Sequence, residues 1–447
     1  MKKNVVCPHF QVFFLSGCLL AAQGALADDL ADVYNRALAA DPQYLAASAA
    51  HQAALEVKPQ SRAGLLPEVG LGGSVSRDRY DPRTSSPTTY ATNQTYSVNL
   101  RQPIFHRERF IQLAQANSRI AQADAVFTAA QQELILRVAT RYFDVLGARD
   151  NLAFVRADKA ALTRTLDQAQ QRFEVGLAAI TDTLKAQAAY DIAISDEISA
   201  EQLLADTREA LRELTGTLPE VLERLSDEIP LQVPEPADQD QWVRSAIDQN
   251  PLMLAAQAAT RTAKQEIQVQ RSGHFPSLDL TADYSYRDSN FGGLTANPLE
   301  RNDSSVGLEL SLPLYQGGAV TSRTREQRYR YEQAVEAQEQ QYRATERQTR
   351  DNYRGIVSGI SRVSALKRAI ESNAKAYEAA KSGFDVGTRD IVDVLDAQRE
   401  LLRARRDHAR SRYDYLLSTL RLKQAAGILA EADLMQINAM LVADDSL

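Results

Sequence analysis

Phe173-Glu174-Val175-Gly176 and, about 210 residues later, Phe384-Asp385-Val386-Gly387 are one phrase written twice. The recurrence spreads outward from there. Asp41-Pro42 returns as Asn250-Pro251, Leu66-Pro67 as Phe275-Pro276, and Gln102-Pro103-Ile104-Phe105 as Leu312-Pro313-Leu314-Tyr315. The offset drifts by only about two residues, and a period this long is outside the range of solenoid repeats. A whole half-domain has been duplicated: residues 28–216 form the first repeat and 242–427 the second, with a Pro-rich connector at 217–241 and a loose acidic tail at 428–447.

Each repeat carries the same order of patterns. Residues 108–173 and 322–384 contain no proline, few glycines and much Ala, Gln, Glu, Arg and Leu. They predict helices of about 100 Å at 1.5 Å per residue. Leu134, Val138, Val145, Leu152, Leu166 and Phe173 recur at three-, four- and seven-residue spacing, which suits helix pairing without a large core. A soluble coiled coil would read alike over this stretch alone. Return helices at 182–214 and 393–424 follow the repeated phrase, and leading helices at about 30–65 and 242–274 open each repeat. Two half-length helices end to end match one long helix, so each repeat supplies two columns of equal height.

Between the leading and long helices lie strand pairs, at 68–101 and 277–313. Leu278, Leu280, Ala282, Tyr284 and Tyr286 alternate with Asp279, Thr281, Asp283, Ser285 and Arg287, a period of two with one apolar face. Val306, Leu308, Leu310 and Leu312 do the same against Gly307, Glu309 and Ser311. Soluble hairpins would alternate too. Strands of about ten residues with an apolar face fit an outer-membrane barrel wall, but four are too few to close one, and three chains would give twelve. Open sheet edges in lipid would leave backbone groups unpaired, so insertion requires assembly.

Lys2, Lys3, an apolar run from Val12 to Ala22 and Ala25-Leu26-Ala27 read as a secretory signal covering residues 1–27. Leu15-Ser16-Gly17-Cys18 offers the alternative of cleavage and acylation at Cys18. Cleavage after Ala27 removes both cysteines, Cys7 and Cys18, and with them disulfide and thiol chemistry. It also deletes two lysines and no acid, taking the formal charge from −7 to about −9, which argues against nucleic acid as a partner. Beyond the leader no apolar run approaches the length of a membrane-spanning helix. The histidines His9, His51, His106, His274 and His408 are scattered, and no phosphate-binding loop or nucleophile turn is present. No cofactor, metal site or catalysis is expected.

The two phrases extend to Phe173-Glu174-Val175-Gly176-Leu177-Ala178-Ala179-Ile180-Thr181-Asp182 and Phe384-Asp385-Val386-Gly387-Thr388-Arg389-Asp390-Ile391-Val392-Asp393-Val394-Leu395-Asp396-Ala397. Here the chain resembles the periplasmic tip of the TolC family of outer-membrane channel-tunnel proteins, and the resemblance covers almost all of the chain after the leader. It implies a mixed, mostly α fold and a homotrimer, with a 12-stranded β-barrel in outer-membrane lipid continuous with a 12-column helical tunnel across the periplasm. It implies a passive duct of a type I secretion or efflux system, with a periplasmic adaptor and an inner-membrane ABC or proton-driven transporter as partners. A lipid-anchored channel of a proton-driven multidrug pump and a non-channel coiled-coil envelope protein are the alternatives.

By the same resemblance Asp182, Arg389 and Phe384 stand at the family's gate latch. Guanidinium and carboxylate suit a paired hydrogen bond, whereas Phe384 occupies a position where the family often has tyrosine and cannot donate one. Arg389 could equally cap its helix turn. Asp393 and Asp396, three apart at a helix start, lie on nearly one face. Three copies would stack them as rings of carboxylates, a selectivity constriction for cations that can also bind a multivalent one; acid enrichment in a first helical turn is the plainer account. Gly176 and Gly387 are expected to permit the tip turns through positive φ.

Overall fold

The computed structural model describes residues 28–81, 88–176, 178–218, 221–291 and 299–443. The leader, both cysteines and Leu177 lie outside the described residues. The first repeat opens with α1 (Leu30–Ala40), α2 (Pro42–Leu55) and α3 (Val57–Ala63), then β1 (Glu68–Tyr80), β2 (Thr89–His106), α4 (Arg107–Glu174) and α5 (Ile180–Thr215). After a two-residue strand β3 (Arg224–Leu225) the order repeats. It runs α6 (Gln239–Gln249), α7 (Pro251–Arg271), β4 (Ser277–Phe291), β5 (Leu299–Ser311), α8 (Ala319–Asp385) and α9 (Ile391–Ala425). The chain ends in α10 (Glu431–Asn438) and β6 (Leu441–Val442).

Each leading segment, expected as one helix, is broken at its Asp-Pro or Asn-Pro. Asp41 and Asn250 leave helical geometry at ψ 114° and 123°, and their side chains cap the next helix, whose first residue is the proline. Proline at that position loses no hydrogen bond, so the pair ends one helix and starts another. The buried Asp41 carboxylate is also held by Arg137 of α4.

The sheet order is β1-β2-β4-β5, antiparallel throughout. Its register aligns the alternation of all four strands. Leu71 pairs with Val98 and Val98 with Tyr284, while Val69, Leu100, Ala282 and Val306 form the row beside them. One face is therefore apolar from edge to edge, and Gly70, Asn99, Asp283 and Ser305 make a polar row on the other. Leu71, Val75, Val306 and Leu308 stay largely exposed in a single chain. β1 and β5 each have one unpaired edge. No helix among the described residues is long and apolar enough to cross a membrane.

Below the sheet, α4 runs the height of the molecule beside α7 and then α5, and α8 runs beside α7 and then α9. The main core lies where the middle of α4 (Leu134, Val138, Tyr142, Leu146) meets α1, α8, α9 and α10. Residues after Gly427 were expected to be a loose tail, and the fold differs there. Leu434 and Ile437 of α10 are buried in this core, and β6 pairs with β3 of the connector. Two apolar residues three apart sufficed to dock a short helix, a signal hidden by the acidic composition around them. Tyr142 and Arg149 bond the connector's carbonyls at Glu223 and Leu222, fixing it against α4.

Candidate functional site

The end of the molecule farthest from the sheet consists of two helical hairpin turns, α4 to α5 and α8 to α9. Both reverse through glycine in the left-handed region, Gly176 at φ 78° and Gly387 at φ 77°, with open space where a side chain would stand. The amide of Gly176 bonds Phe173 O at 2.9 Å and that of Gly387 bonds Phe384 O at 3.1 Å. In the second turn the chain closes further: Thr388 N and Arg389 N both reach Gly383 O, at 2.8 and 3.2 Å. Asp390 then caps α9 through the Val392 amide, whereas Ala179 at the start of α5 has no side chain able to do so.

The hairpins are held to one another by residues the sequence reading did not single out. Arg172 of α4 donates to the carbonyls of Phe384 and Asp385 at 3.0 and 2.9 Å, and its guanidinium lies 4.6 Å from the Phe384 ring centroid. These carbonyls lie at a helix C-terminus, where a cation complements the negative end of the helix dipole and adds to the Gly387 bond already made at Phe384 O. Gln168 donates to Asp385 at 3.0 Å, and Lys185 sits 3.5 Å from Asp390. Higher up, Gln398 of α9 donates to Asp158 of α4, and Tyr413 of α9 to Asp150 of α4 at 2.6 Å. Gln398 is visible in retrospect as a polar residue on the otherwise apolar stripe of Ile391, Val394, Leu395 and Leu401.

The sequence-predicted residues gather at this end without all meeting. Phe384 is buried with Leu162, Ala193, Ile391, Val394 and Leu395, and so serves as packing beneath Arg172. Arg389, in the turn just before α9, lies 3.7 Å from Asp393 in the first turn of that helix. Asp182 has no ion pair among the described residues of the chain. Asp396 pairs with Arg399 at 3.1 Å, and both it and Asp393 are exposed. Along the outer hairpin, Lys159 and Arg156 clamp Glu197 at 2.6 and 3.1 Å and hold its carboxyl below the usual range. The arrangement offers exposed carboxylates and exposed guanidinium groups on two hairpins.

The chain matches the outer membrane efflux protein family over residues 33–217 and 242–428. It is 40% identical over 432 residues to outer membrane protein TolC of Vibrio cholerae, covering 96% of this chain and 97% of that protein. With the alkaline protease secretion protein AprF of Pseudomonas aeruginosa the identity is 29%, over 96% and 90% of the two chains. Among solved structures, the Campylobacter jejuni CmeC outer membrane channel has the same fold, with a TM-score of 0.76 at 16% identity and 99% of each chain covered.

Proposed function

The chain belongs to the outer membrane efflux protein family, and on that premise we propose that its tip is a gate sprung from outside the chain and held shut by polar links at Arg389 and Asp182. The protein is an outer-membrane exit duct for type I secretion or efflux. Three copies close the four-stranded sheets into a twelve-stranded barrel, and their helices continue it as a tunnel into the periplasm. The observation that carries this is the sheet itself: one face apolar across all four strands, the other polar, and both edges free. Such a sheet can enter lipid only when neighbours pair its edges.

The driving energy comes from an inner-membrane pump reached through a periplasmic adaptor, and the duct itself contributes only a path and a closure. Among the described residues Asp182 makes no ion pair and Arg389 makes a single long one, to Asp393, so the two can meet across neighbouring hairpins around the threefold axis. An exposed pair is worth about 0–1 kcal/mol, so three copies form a latch that adaptor docking can overcome. Asp393 and Asp396 ring the opening and favour cations. Arg389, beside Asp393, tempers that ring as well as latching it.

Planar-bilayer conductance of the purified trimer beside its Arg389→Ser variant tests the reading. The wild type should give small cation-selective steps, and the variant larger and more selective ones, because the latch is lost and Asp393 is bared. Unchanged conductance from a folded variant trimer would remove Arg389 from the gate. In Asp393→Ala/Asp396→Ala the cation selectivity and block by trivalent cations should both disappear; persistent block would place the cation site elsewhere.

A further inference from the structure

The two hairpins of one chain are joined again at a buried polar contact above the tip. Gln398 of α9 is only 7% exposed. Its Nε2 donates to Asp158 Oδ1 of α4 at 2.5 Å, while its Oε1 has no hydrogen-bond partner. The contact stands about 10 Å along α9 from its first residue, Ile391, taking 1.5 Å per residue. A cavity of about 320 Å³ opens beside it, walled by Leu162, Ile192, Leu395 and Leu402.

A buried amide oxygen without a donor costs stability unless something supplies one. The charged groups around Asp158 do not. Asp196 faces it from α5 and can only accept. Arg399 approaches from α9 but pairs with Asp396 at 3.1 Å, and Arg403 and Arg406 lie 4.0 and 3.8 Å from Asp407. On α4, Arg156 and Lys159 are turned to Glu197 and Glu201. Asp158 itself, once protonated, can supply the missing donor. Burial raises its carboxyl above the usual range, more than the Gln398 bond and Arg399 lower it.

We propose that Asp158 and Gln398 are a proton-tightened fastener between the two hairpins, making one hydrogen bond as carboxylate and amide and two as a cyclic carboxylic acid–amide pair. The proton is taken from solvent onto the second carboxyl oxygen, Oδ2, and is returned when the pH rises. The closed arrangement holds this proton more readily than an opened one, so its stability gains as pH falls through the shifted carboxyl range and loses as pH rises. The proposal rests on the tip being a gate, and adds a residue pair remote from the latch.

The test is resting open probability in planar bilayers from pH 7.5 down to about 3.5, below the ordinary carboxylate range, for purified trimers of the wild type, Asp158→Asn, Asp158→Leu and Gln398→Leu, with Arg389→Ser as control. Asparagine supplies the second donor without a proton. Asp158→Asn should therefore be more tightly closed than the wild type at pH 7.5, and the two should converge as the pH falls. Relative to it, the wild type should close by roughly fivefold to tenfold on acidification, the factor one further net hydrogen bond provides. Asp158→Leu and Gln398→Leu should leak more at both pH values and lack this component. Other acids at the tip titrate in every variant, so the quantity read is the difference between the wild type and Asp158→Asn. If Asp158→Asn keeps the full wild-type pH response, or Asp158→Leu leaves the gate unchanged, the fastener is refuted while Arg389→Ser still opens. If Arg389→Ser is as silent as the wild type, the gate reading itself has failed.

Discussion

The two tips carry the same phrase and meet opposite fates. Phe384, Ile391 and Leu395 are 7%, 0% and 8% exposed, while their counterparts Phe173, Ile180 and Leu184 are 41%, 50% and 61% exposed. The second tip is folded into its own chain, against Leu162 and Ala193 of the first hairpin and beneath Arg172. The first tip presents its apolar residues outward. Duplication supplied two equal hairpins, but within one chain only the second tip packs between them, and the first stays exposed. The polar content follows the same division. The second turn has Thr388, Arg389 and the capping Asp390, where the first has Leu177, Ala178 and Ala179.

The sharpest way to break this contrast is truncation of matched residues. Ile391→Ala should weaken the tip by about 2–5 kcal/mol, as for a buried large-to-small change. Ile180→Ala should cost within about 0.5 kcal/mol in the isolated chain. Limited proteolysis at the turns and thermal melting in detergent measure both, and equal losses would end the claim that only one tip is packed within its chain. A smaller effect should erase the difference: Gly176→Ala and Gly387→Ala should each cost about 1–2 kcal/mol, since both turns demand left-handed backbone. If one substitution is silent, that turn is not built as its φ states. The smallest effect belongs to the cap. Asp390→Ala should lose about 0.5–1 kcal/mol of α9 stability, and Ala179→Asp should recover a similar amount in α5, read by hydrogen exchange in the first turn of each helix.

Much of the architecture was legible because it is periodic. The alternation through Leu278 to Arg287 reports a two-faced strand whatever lies beside it, and residues 108–173 lack anything that would end a helix. Single residues broke that legibility. Asp41-Pro42 and Asn250-Pro251 were noticed as repeats, but their effect, one helix ended and another capped, depends on a side chain accepting from an amide two or three residues on. The tail after Gly427 was judged by its acids, and Leu434 and Ile437 outweighed them once a core was within reach. At the tip the residue types were readable and the partners were not. Arg389 and Asp182 come to the same end of the molecule without touching, while Arg172, unremarkable among the arginines of α4, bonds two carbonyls of the other hairpin.

The sequence by itself determined the duplication, the helix lengths, the two-faced strands and the turns that need glycine, because each of these is settled by neighbours within a few residues. Only the tertiary structure decided which copy of a repeated residue is buried and which polar side chain pairs across the hairpins. Those outcomes depend on how two long helices cross, and a side chain such as Gln398 acquires its meaning from Asp158, placed opposite it by the packing of segments 240 residues apart.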